Sequence, residues 1–123
     1  MTAYTPVLVA EMSQNYGATT AGVAVAVITP NIGGDSFQLL GDTLYLRIAT
    51  AGTGSTITVD SVDLSNFGQD QNLTITMTAT QVQYVAFDAN VSRWKQTSGN
   101  IGYLNFSYTS ITTMTIEAFY SSS

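Results

Sequence analysis

The chain has 123 residues, a formal net charge of −5, and only 9% Asp, Glu, Lys and Arg, where an ordinary soluble domain carries about 25%. It contains no His and no Cys, which removes the commonest general base, thiolate metal sites, disulfides and redox chemistry. Three cations are too few to neutralise a run of phosphates, so neither nucleic acid nor an anionic membrane is an expected partner.

A chain of this length buries enough surface for a core without staples, and 45% apolar residues supply one. Residues 1–12 read as an extended arm. Pro6 fixes its own φ and pushes Thr5 towards extended geometry, and Val7, Leu8 and Val9 form a short strand-like run. The first cation is Arg47, so no secretory signal with a cationic start is expected. No run approaches the ~18 apolar residues of a membrane helix. Synthesis in a reducing cytoplasm fits the lack of Cys.

Residues 13–123 read as one domain. After a polar loop, Val23, Val25 and Val27 alternate with alanines and predict a strand covered on both sides. Residues 29–35 are a dense turn signal, with a polar hinge following to Asp42. Residues 43–49 alternate, with Leu44, Leu46 and Ile48 inward and Thr43, Tyr45 and Arg47 outward. Residues 55–62 alternate again, and the two runs predict a hairpin. Further strands are expected over 73–78, 82–87, 100–108 and 112–120. No stretch shows a 3.6-residue period. The expected fold is all-β: an antiparallel two-sheet β-sandwich, jelly-roll-like, of seven or eight strands with an extended N-terminal arm.

Chemistry has few places to reside. There is no Ser-x-x-Lys motif, and Glu11 and Glu117 are the only Glu residues. Asp60, Asp63 and Asp70 offer hard oxygen ligands, but their spacing matches no EF-hand loop, and they read as solvated turn carboxylates. Gly33-Gly34 and the Gly52-Thr53-Gly54 run read as turns, since neither carries the P-loop Lys. The chain is therefore expected to be no enzyme, with no catalytic residue, no metal and no cofactor. Two features point instead to contact with a partner. Arg93 and Lys95 flank the only Trp, and Trp94 is either a binding anchor or a plug at one end of the sandwich. Tyr4 sits on the arm, where docking onto a neighbour or pairing with its own body each accounts for it.

From Phe37 onward the pattern resembles the β-sandwich decoration (cement) proteins of tailed bacteriophage heads. The resemblance lies in Gly41-Asp42-Thr43-Leu44-Tyr45-Leu46-Arg47-Ile48 and the Thr-Ile-Thr-Val run at 56–59. It continues through Val85-Ala86-Phe87 to Trp94, then Gly102-Tyr103-Leu104-Asn105-Phe106-Ser107-Tyr108 and Thr115-Ile116-Glu117-Ala118-Phe119. The chain differs from that pattern over residues 52–73. The resemblance implies a homotrimer on the outer surface of a virion, holding neighbouring copies of a major capsid protein together. The residues expected at such contacts are Tyr4, Pro6, Val7, Leu8 and Val9 of the arm, with Arg93, Trp94 and Lys95. The alternative function is a carbohydrate-binding or adhesive module of a phage fibre or tail.

Overall fold

The computed structural model describes residues 2–9, 24–62, 72–90, 93–97, 99 and 101–121. It is all-β, with no helix among them. Nine strands run in chain order: β1 (Thr2–Tyr4), β2 (Val7–Leu8), β3 (Asp35–Gln38), β4 (Thr43–Ala49), β5 (Ser55–Val59), β6 (Leu73–Met77), β7 (Val82–Asp88), β8 (Tyr103–Tyr108) and β9 (Thr115–Ser121). They form a five-stranded sheet, β1-β3-β8-β5-β6, and a four-stranded sheet, β2-β9-β4-β7. The inner faces of both sheets feed one core that includes Phe37, Leu104, Phe106, Ile57 and Val59 from the first and Leu44, Leu46, Ile48, Phe87 and Ile116 from the second. Phe106 and Phe87 meet edge-to-face between the sheets at 6.3 Å, the arrangement that ring quadrupoles favour.

The alternation along β4 sorts its residues as the sequence predicts: Leu44, Leu46 and Ile48 are fully buried and Tyr45 is exposed. Four expectations fail. The sheets are not antiparallel throughout, because β1 runs parallel to β3 and β2 parallel to β9. The count is nine rather than seven or eight, because the arm supplies two short strands and because residues 35–38 form β3 instead of a polar hinge. Phe37 is the only large apolar residue of β3, so periodicity could not show it; Asp35 and Ser36 are nonetheless buried. The predicted hairpin of residues 43–49 with 55–62 is also absent. β4 pairs with β7 and β9, while β5 pairs with β6 and β8, so residues 50–54 cross between sheets. Residues 24–27 form no strand; only Ile28 makes an antiparallel bridge, to Ile116, and Val23 lies outside the described residues.

The arm acts as a strap. β1 lies on the five-stranded sheet and β2 on the four-stranded sheet, with Pro6 buried between them. Pro suits this crossing because its fixed φ and missing N–H cost nothing where no ladder bond is made.

Two threonines hold left-handed backbone, Thr80 at φ 54° and Thr113 at φ 57°, a strained conformation for a β-branched residue. Thr80 directs both its N–H and its hydroxyl at the Ala51 carbonyl, which offsets the strain. Thr113 only donates its hydroxyl to the neighbouring Thr112 carbonyl at 2.7 Å. Replacing Thr113 by Asn, which tolerates this region better, is expected to stabilise the fold by about 1 kcal/mol, read as a higher urea midpoint at unchanged slope.

Candidate interaction face

The outward side chains of the four-stranded sheet form rows fixed by its register. Val7 of β2 lies opposite Phe119 of β9, Phe119 opposite Tyr45 of β4, and Tyr45 opposite Ala86 of β7. This is an apolar row four strands wide. Phe119 and Tyr45 stack with centroids 5.4 Å apart and planes 16° from parallel. The next row is Glu117, Arg47 and Tyr84, and the row after that is Thr115, Ala49 and Val82. Tyr84 is 69% exposed and Val82 46%, so the face becomes barest towards β7.

A cross-strand ion pair, Arg47 Nη1 to Glu117 Oε1 at 3.5 Å, neutralises the middle of this face. At such exposure it contributes a few tenths of a kcal/mol at most; its main effect is to leave the middle of the face without net charge, the exposed Asp88 lying at one end opposite Thr43. The outer face of the other sheet differs. Thr56 lies opposite Thr76, Thr58 opposite both Thr74 and Ser107, and the Ser36 hydroxyl donates to the Asn105 side chain at 2.7 Å. Among the described residues this face is built mainly of hydroxyl and amide side chains, with Ser36 itself fully covered.

Five other described charged residues gather at one end. Asp42, Asp60, Asp88, Arg93 and Lys95 lie on or beside the connections 39–42, 60–62 and 89–102, which are tied together by backbone bonds such as Ala89 N–H to Asp42 and Val62 N–H to Arg93. Trp94 sits at this end, half-buried, edge-on to Phe87 at 5.5 Å, with the Arg93 guanidinium 4.4 Å over its ring. That geometry matches the plug at the end of the sheets and occupies one ring face with a cation–π contact. Asp63 and Asp70 lie outside the described residues.

The arm residues expected at a partner contact are placed on the chain's own body. Tyr4 stacks on Phe37 at 5.6 Å, Val7 and Leu8 pair with Phe119 and Tyr120, and the Val9 N–H donates to the Tyr120 carbonyl at 2.9 Å. Of these residues only Val7 joins the apolar row. Tyr45, Tyr84 and Phe119 are not among the residues that the sequence places at a contact. Alternation gave the outward direction of Tyr45, but its neighbours depend on which strands pair.

A buried polar cluster lies beneath the arm. The Asp35 carboxylate, fully buried, accepts the Tyr108 hydroxyl at 2.6 Å and the Asn31 N–H at 3.1 Å on Oδ2. Burial first, and then the hydrogen bond to Asp35, lift the Tyr108 hydroxyl far above the ordinary tyrosine range. Tyr4 is also raised, by burial and then by the nearby Asp35 charge.

Comparison with protein-family models, curated proteins and solved structures finds no significant match for this chain. Among the described residues no helix is long and apolar enough to cross a membrane.

Proposed function

We propose that the chain is a structural virion protein of the decoration type: a jelly-roll-like β-sandwich that binds the outside of a phage head and bridges neighbouring major capsid proteins. It associates with copies of itself, in the trimeric arrangement that the sequence resemblance implies. The observation that carries this reading is the outer face of the four-stranded sheet, where Val7, Phe119, Tyr45, Ala86 and Tyr84 form an apolar surface whose one ion pair is internally neutralised. Exposed contiguous apolar surface of this kind marks a contact with another macromolecule. Many weak contacts of one rigid block on a closed shell reinforce one another. The arm, which pairs at home, serves in this reading to fix Val7 beside Phe119.

The carbohydrate-binding alternative draws less support. A sugar stacks on an open ring face, whereas Tyr45 and Phe119 cover part of each other and Trp94 carries Arg93.

Tyr45→Lys tests the reading. Tyr45 is 37% exposed, so the loss of its stack costs the fold only about 1 kcal/mol, while a cation enters the centre of the proposed contact. Purified heads lacking the protein are expected to take up the variant at least tenfold less tightly than the wild type, measured by co-sedimentation. Equal uptake of both would refute this face as the contact.

A further inference from the structure

The free edge of β7 is unusually receptive. β7 is seven residues long, contains no Lys and no Pro, and pairs only with β4 among the described residues. Natural edge strands are commonly short, or carry Lys, Pro or a bulge that blocks pairing. Flanking bonds fix which groups are free. The Thr50 N–H donates to the Gln81 carbonyl, and the Ala89 N–H donates to the Asp42 carbonyl. With the β4–β7 register, residues 83, 85 and 87 must then direct their N–H and C=O at β4. The corresponding groups of Val82, Tyr84, Ala86 and Asp88 point away from the sheet.

Residues 24–27, Ala-Val-Ala-Val, are the complementary feature. They are uncharged, β-prone and outside every strand, with Val27 60% exposed. Their place on their own sheet is taken. Ile28 exchanges both backbone bonds with Ile116, at 2.7 and 3.0 Å. Continuing that antiparallel bridge would lay residues 26–24 along Ala118, Phe119 and Tyr120, but β2 already occupies β9 at Phe119 and Tyr120.

Nor do these residues reach β7 of their own chain. With the order β2-β9-β4-β7, the site beyond β7 lies four strand spacings from Ile28, roughly 19 Å. Residue 24 extends at most about 14 Å from Ile28. A β7 edge is therefore within reach only on another molecule.

We propose that residues 24–27 of one copy add as a strand to the free edge of β7 in a second copy, joining chains head to tail. The occupant is a second copy because the donor and the acceptor are both uncharged apart from Asp88 at the end of β7, and because the two are unable to meet within one chain. Strand addition is a recurring recognition mode, and a heterologous contact of this kind closes into a ring when its rotation permits. The proposal deepens the self-association part of the proposed function and rests on it, whereas the shell contact is tested separately through Tyr45 on a central strand.

Two variants test it by sedimentation velocity. Ala86→Pro removes an outward N–H from the edge, where Pro is tolerated, and keeps a small apolar side chain. The double variant Ala26→Pro with Val27→Pro removes an N–H from the donor in either register parity and touches only exposed residues. Wild type is expected to sediment as a discrete species heavier than the 13.1 kDa chain, and each variant as a monomer with an unchanged β-sheet circular-dichroism spectrum. Mixing the two variants pairs the intact donor of one with the intact edge of the other and is expected to give a 1:1 complex that grows no further. A monomeric wild type overturns the proposal, as does a donor variant that still associates, which would indicate symmetric β7–β7 pairing. Failure of the mixture to form a complex overturns it as well. If Ala86→Pro does not fold, the donor variant alone decides between the two outcomes.

Discussion

A chain lacking residues 2–9 is expected to lose a third or more of its stability, roughly 5 kcal/mol out of the 5–15 typical of a domain. The truncation removes an edge strand from each sheet and the buried Pro6 between them. It also strips Tyr4 from Phe37, which is fully buried, and opens the β3 and β9 edges. Thr2 N–H to Gly34 and Asn31 side-chain amide to Thr2 hydroxyl, at 3.2 and 3.3 Å, go with them. Urea titration followed by tryptophan fluorescence and circular dichroism reads the loss; an arm that lies loosely on the body predicts an unchanged midpoint.

The second large effect is expected at Asp35. Asp35→Ala leaves the Tyr108 hydroxyl and the Asn31 N–H without their acceptor in a buried place, at a cost of roughly 3 kcal/mol. It also loosens the turn that Asn31 builds, through its side chain to the Gly33 N–H at 2.8 Å and its carbonyl to the Gly34 N–H at 2.9 Å, and this turn receives β1. Asp35→Asn keeps an acceptor oxygen and is expected to retain most of the stability. The cluster carries a pH signature. Because the folded state raises the Tyr108 pKa, its contribution is complete below the unfolded value of about 10 and is lost as pH climbs above it, where the unfolded chain sheds its proton first. The urea midpoint of wild type should fall between pH 9 and 11. Tyr108→Phe should lower the midpoint at neutral pH and flatten the alkaline decline, leaving the smaller share due to Tyr4. An alkaline slope identical in the two proteins would show that other groups govern it.

Strands whose two faces differ were legible in the sequence. β4, β6 and β9 alternate aliphatic with polar or aromatic residues, and their buried sets follow: Leu44, Leu46 and Ile48; Ile75 and Met77; Ile116 and Ala118. β3 was hidden because Asp35 and Ser36 look like turn residues, and their burial is made possible only by partners 69 and 73 positions away, Asn105 and Tyr108. The sheet assignment of β5 was hidden too. A short Gly-rich link such as residues 50–54 serves a hairpin or a crossing between sheets equally well, and the choice depends on the rest of the core. Residues 24–27 have the composition of a strand but lose their edge to β2, a competition no local pattern records. The candidate face was half legible: periodicity turned Tyr45 and Arg47 outward, and only the pairing set Phe119, Glu117 and Tyr84 beside them.

The strap also orders events during synthesis. β2 is made long before its partner β9, which ends at Ser121, so the parallel pairing that seals the four-stranded sheet must wait until every other strand has been synthesised. Contacts so distant in sequence slow folding, and until they form the nascent chain holds the apolar pair Val7 and Leu8 without the strand they are built to join.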